Sequence, residues 1–119
     1  MATSDRSLKR VVFNDTVIYV DGFQFQTESV KHYVLTHFHS DHTIGLSKTF
    51  ASGTIYCTHS TACLITRFIG VDPNRVCGFA LGEIFHIDGV KTVFLDANHC
   101  PGAAVVVFRG ADSSDAILS

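Results

Sequence analysis

Residues 103–108 read Ala-Ala-Val-Val-Val-Phe, an apolar run with no polar side chain in it. The run is too short to cross a membrane, and its β-branched content is that of a strand. A strand without a polar face must be covered on both sides. The chain therefore has to build at least two packed layers around this segment.

Other segments supply partners for it. Thr16–Val20 reads as a strand ending at Asp21-Gly22, and Tyr33–Leu35 and Thr54–Cys57 as short buried strands. Glu83–Ile87 and Val90–Leu95 flank Asp88-Gly89, the strongest hairpin signal in the chain. After Thr54–Cys57, Ser60 or Thr61 is placed to cap a helix in which Leu64, Ile65, Phe68 and Ile69 share a face, with Gly70 as its stop. Gly110-Ala111-Asp112 turns the chain into a last strand, Ala116–Leu118. Strands dominate and one or two helices cross between them, so the fold class is α+β. Residues 1–15 read as a flexible N-terminal extension. The final strand has no neighbour before Ser119, so half of a larger sheet system is expected.

Composition narrows the function. At 119 residues, 46% hydrophobic and 17% charged, the chain is one small globular unit and not a disordered one. A net charge of −2 gives no basic footprint for nucleic acid, so such a partner must be met by a local patch, a metal or residues elsewhere. No run approaches a membrane span, and Met1-Ala2-Thr3-Ser4-Asp5 has no apolar signal core. Cys57, Cys63, Cys77 and Cys100 form neither a C-x-x-C pair nor a dense pattern, and read as reduced thiols of a cytosolic or nuclear protein.

The chemistry concentrates at Thr36-His37-Phe38-His39-Ser40-Asp41-His42, directly after Tyr33-Val34-Leu35. On an extended chain His37 and His39 point to one side, while Asp41 and His42 fall where the chain turns. Imidazole and carboxylate suit a divalent metal, with zinc the default for a histidine-rich site. A second group, Asp96-Ala97-Asn98-His99-Cys100-Pro101-Gly102, also stands at a strand end, where Pro101-Gly102 forces a turn. His99 is then a further candidate ligand, and Asp96 and Asn98 are either its orienting partners or turn formers. Cys57-Thr58-His59 with Cys63 has loosely metal-like spacing, but a strand end followed by a helix cap explains it more simply. His32 and His86 sit in strand-like runs as surface or cross-strand residues.

These motifs resemble a known family. Thr36–His42 is similar to the H-x-H-x-D-H signature of the metallo-β-lactamase superfamily, and Val20-Asp21-Gly22-Phe23 to its first motif. Asp96–Gly102 resembles the third motif of the β-CASP branch acting on DNA, the Artemis- and Apollo-like cross-link repair nucleases. Tyr33–Leu46, Leu46-Ser47-Lys48 and Gly53–Cys57 are similar to the same branch, and the likeness runs over residues 17–118.

The resemblance implies the N-terminal half of an αββα sandwich, truncated, with residues 1–119 as a partial metallo-β-lactamase domain. It implies that His37, His39 and His99 bind one ion, that Asp41 and His42 serve a second, and that Asp21 braces the loop from behind, with Asp96 as another supporting carboxylate. Asp41 takes the catalytic role. One or two Zn2+ ions are implied, with Mn2+ or Mg2+ as substitutes. The implied activity is 5′→3′ exonucleolytic hydrolysis of DNA bearing a 5′-phosphate, in cross-link or double-strand-break repair in the nucleus, with no membrane partner. In the family the strand matching Ala116–Leu118 runs into a Thr-Gly-Asp motif. The chain stops at Ser119 without it, so an incomplete and inactive fragment is expected. The rival expectations are a non-catalytic metal-binding fragment, and a hydrolase of the same fold acting on RNA, a thioester or a lactam.

Overall fold

The computed structural model describes residues 9–97, 104–110 and 115–118. The first sheet contains β1 (Lys9–Phe13), β2 (Thr16–Val20), β3 (His32–Val34), β4 (Thr54–Thr58) and β5 (Val76–Phe79), in that spatial order. β1 and β2 form an antiparallel hairpin, and β2 through β5 run parallel. The second sheet is an antiparallel meander of β6 (Ile84–Ile87), β7 (Val90–Asp96), β8 (Ala104–Arg109) and β9 (Asp115–Leu118).

Alternation decides how the sheets face each other. Val11, Ile18, Val20 and Val34 from the first sheet meet Phe85, Ile87, Val90, Phe94, Val106 and Phe108 from the second in one buried cluster. The opposite face of the first sheet carries a second cluster, in which Tyr33, Leu35, Ile55 and Cys57 pack under Phe23, Phe50, Ile65 and Val71. That outer layer follows from the parallel pairing. Parallel strands need long crossovers, and the crossover from β4 to β5 holds α2 (His59–Leu64).

The hairpin at Asp88-Gly89 forms with both residues at positive φ, +49° and +84°, as a tight two-residue turn requires. Three local readings need correction. Residues 9–13 are not part of a flexible extension: Val11 is buried between the sheets and pairs with Ile18. The helix is capped by Thr58, whose hydroxyl accepts from the Thr61 amide, and not by Ser60 or Thr61. It also does not keep one apolar face, because Ile65–Ile69 widens into a π-turn in which Ile65 is buried and Phe68 is 67% exposed. Val76–Phe79 is a strand that the periodicity did not reveal, since Gly78 interrupts it. No helix among the described residues is long and apolar enough to cross a membrane.

Candidate metal centre

The site grows from the C-terminal ends of β2 and β3, which lie side by side because these strands are parallel. Open sheets of parallel strands place their ligand sites at this edge. Asp21 follows β2 with φ +53°, a left-handed conformation that aspartate tolerates better than most residues. Its amide donates to the Val34 carbonyl at 2.8 Å, locking it beside β3. Leu35, Thr36 and His37 then leave β3 as buried residues.

The Asp21 side chain is 4% exposed and accepts three hydrogen bonds. The Thr36 amide donates to Oδ1 at 2.8 Å, and the Thr36 hydroxyl to Oδ2 at 2.7 Å. His42 Nδ1 lies 2.7 Å from Oδ2, so Nδ1–H is the donor there. A buried carboxylate is tolerated on these terms, with its lone pairs engaged. The network also assigns the His37 tautomer. The single Thr36 hydroxyl proton goes to Asp21, so the oxygen accepts from His37 Nδ1–H at 3.1 Å. Both rings are thereby held with Nε2 as the basic nitrogen. Outer partners of metal-binding histidines act in this way. Thr36 is the residue that sequence reasoning passed over, although a threonine closing a buried strand next to the first histidine was a usable signal.

The three imidazoles gather within one small volume. Ring centroids are 3.8 Å apart for His37 and His42, 5.9 Å for His37 and His39, and 6.2 Å for His39 and His42. Their clustering does not come from extended alternation. The chain is turned between the first two, with the His39 amide donating to the His37 carbonyl at 3.1 Å. Asp41 and His42 belong to the single turn α1 (Ser40–Thr43), closed by the Thr43 amide and hydroxyl on the His39 carbonyl. His37 is buried and His39 exposed, so the cluster opens to solvent on the His39 side.

The end of β7 and the start of β8 approach this loop from the second sheet. Asp96 ends β7 as an exposed residue paired with Ala104, the first residue of β8, whose amide donates to the Thr36 carbonyl at 2.8 Å. Asp96 and Ala104, the last residue of β7 and the first of β8, are thus tied to the residue that precedes His37. His99, Asn98 and Cys100 on the connection between these strands, and the side chain of Asp41, lie outside the described residues. Among the described residues no group of three or more His, Cys, Asp or Glu is placed to hold a metal by itself. The donor set nevertheless fits a divalent ion in its chemistry: three clustered imidazoles, two of them with Nδ1 engaged by hydrogen bonds, a carboxylate bracing them, and an open side. The Cys57, His59 and Cys63 group does not fit. Burial pushes the Cys57 thiol far above its usual range, away from the thiolate a metal needs.

No family profile matches the chain. The fold is similar to that of a metallo-β-lactamase from Cronobacter sakazakii, with a TM-score of 0.67 at 17% identity over 92% of this chain and 54% of that one. A flavoprotein from Thermotoga maritima gives 0.66 at 19% identity, over 83% of this chain and 29% of that one. The two-sheet fold is thus shared with these metallo-β-lactamase structures. Sequence likeness narrows the class. The chain is 39% identical over 100 residues to the DNA cross-link repair protein SNM1 of Arabidopsis thaliana, covering 83% of this chain and 21% of that protein. It is 43% identical over 90 residues to the human DNA cross-link repair 1A protein, covering 75% and 9%. Against the mouse 5′ exonuclease Apollo it is 38% identical over 108 residues, covering 84% and 20%. By sequence the chain groups with these proteins over most of its own length, which supports the β-CASP branch of the metallo-β-lactamase superfamily. It spans about a fifth of the length of the Arabidopsis relative.

Proposed function

We propose that this chain supplies the metal-holding part of a nuclear phosphodiester hydrolase that degrades DNA from a 5′-phosphate end during cross-link or strand-break repair. The observation that carries the reading is the Asp21–Thr36 network, which fixes the protons of His37 and His42 on Nδ1 at the solvent-open end of two parallel strands. In this reading His37, His39 and His99 hold one ion, zinc by preference, and Asp41 and His42 serve a second, with Mn2+ or Mg2+ as substitutes. A divalent ion held there supplies Lewis acidity toward a phosphate and makes a nearby water acidic enough to react near neutral pH. Asp21 and Thr36 orient the ligands. Asp41 carries the catalytic carboxylate, and the exposed edge of His39 admits the strand end. DNA is preferred over RNA, a thioester or a lactam because the sequence relatives are named as DNA repair proteins, one of them a 5′ exonuclease.

The test is cleavage of a 5′-phosphorylated single-stranded DNA, compared with its 5′-hydroxyl form and with RNA of the same sequence. In a protein of the relatives' length that carries this chain, degradation of the phosphorylated DNA from its 5′ end, lost on chelation and in Asp41→Ala, is expected, while the 119-residue chain alone should show little or none. RNA cleaved as fast as DNA, or turnover indifferent to Asp41→Ala, contradicts the reading.

A further inference from the structure

Phe68 is 67% exposed, although the helical spacing of Leu64, Ile65, Phe68 and Ile69 would bury it. The π-turn explains how it escapes. The Gly70 amide donates to the Ile65 carbonyl at 3.0 Å, so the widened turn keeps Ile65 in the core and rotates Phe68 outward. Such turns concentrate at functional positions. Phe68 does not stand alone. Its ring lies against Phe38, centroids 6.4 Å apart and planes 36° apart, and Phe38 is itself half-buried against the outer cluster of the first sheet. Phe38 sits between His37 and His39, so the aromatic pair adjoins the candidate metal loop. The Arg67 guanidinium is 5.9 Å from the Phe68 ring centre. In a chain of net charge −2, a cation at this spot marks a local preference for an anion.

We propose that Phe68, backed by Phe38 and flanked by Arg67, is a stacking platform for an unpaired nucleobase of the strand whose backbone enters the histidine loop. The proposal rests on the DNA reading above and adds the surface that engages the substrate's base. An exposed ring on a fixed backing, with a guanidinium beside it for the phosphate, is the pairing by which single strands are held without regard to sequence. A protein partner would also fit an apolar ring, but the adjacent cation and the position next to the candidate metal loop favour a nucleotide.

The chain contains no tryptophan, so Phe68→Trp in the full chain places a sole indole emitter on the platform. The probe is a 5′-phosphorylated oligodeoxynucleotide with phosphorothioate linkages to block cleavage, compared with the same oligonucleotide carrying abasic sites at its first three positions. Quenching of the indole by the base-bearing strand and not by the abasic one is expected. By anisotropy, Phe68→Ala should weaken binding of the base-bearing strand about tenfold and leave the abasic strand unchanged. Equal quenching by both strands, equal weakening for both, or no effect of Phe68→Ala overturns the platform while leaving the DNA reading intact. A change in sedimentation alone makes the patch a protein contact and also overturns it. Failure of the native chain to bind either strand removes the DNA reading and the platform with it.

Discussion

Replacing Asp21 by Asn keeps the shape of the side chain but puts a donor where the carboxylate accepts from both Thr36 and His42. The ligating residues are untouched, so any change in metal binding reports on orientation alone. Zinc affinity should fall about 10–100-fold, as is typical when an outer partner of a metal histidine is lost. Competition with a chromogenic chelator measures it, and an unchanged affinity would mean that Asp21 serves only the loop. The candidate donors stood out at this scale because His37, His39, Asp41 and His42 crowd one short stretch. The role of Thr36 was not, because a single hydroxyl gains its meaning only once β2 brings Asp21 alongside. Phe68 was misjudged for a related reason: a period of 3.6 presumes an α-helix, and the π-turn breaks it.

Among the elements, the loop after His42 is held by a close approach of backbones. Gly45 has φ +88°, and a Cβ there would stand 2.5 Å from Gln24 Cα. Gly82 has a similar φ of +81° with nothing within 4 Å of its Cβ position. Gly45→Ala should cost about 2–4 kcal/mol by combining backbone strain with the clash, and Gly82→Ala about 1 kcal/mol from strain alone. Urea unfolding of the two variants separates the terms, and equal losses would rule out the contact. Strand positions were readable from alternation and from the Asp88-Gly89 turn. β1 was missed because Lys9 and Arg10 mask a short strand that is held by its hairpin with β2 and by the burial of Val11 between the sheets. β5 was missed because the Gly78 gap, under His59 and Ala62, admits the helix and removes the apolar signal.

For the whole molecule, the outer face of the second sheet is distinctive. Ile84 pairs with Val93, Val93 with Val107 and Val107 with Ile117, forming an apolar row across four strands, with Leu95 beside it. Ile84, Leu95 and Ile117 are 57%, 46% and 69% exposed. Contiguous apolar surface on a sheet promotes association. Ile117→Thr combined with Leu95→Thr should therefore reduce self-association in sedimentation velocity, with a stability change within about 0.5 kcal/mol per site. Unchanged association would place the sticky surface elsewhere. The packing of β8 against a second layer was legible from 103–108, but its expected cover on both sides is not met among the described residues, where Val105 and Val107 lie half-buried on the open face. Which face stays open depends on how the sheets pair across space, which no local pattern records.

The proposed chemistry of this site depends on metal binding by the histidine loop. Zinc content, measured after chelation, re-addition and dialysis, compares the native chain with His37→Ala/His39→Ala. The native chain should retain at least one zinc per molecule and melt at a higher temperature with zinc than without, while the double variant retains none and its melting is indifferent to zinc. Equal zinc content in the two proteins would contradict the assignment.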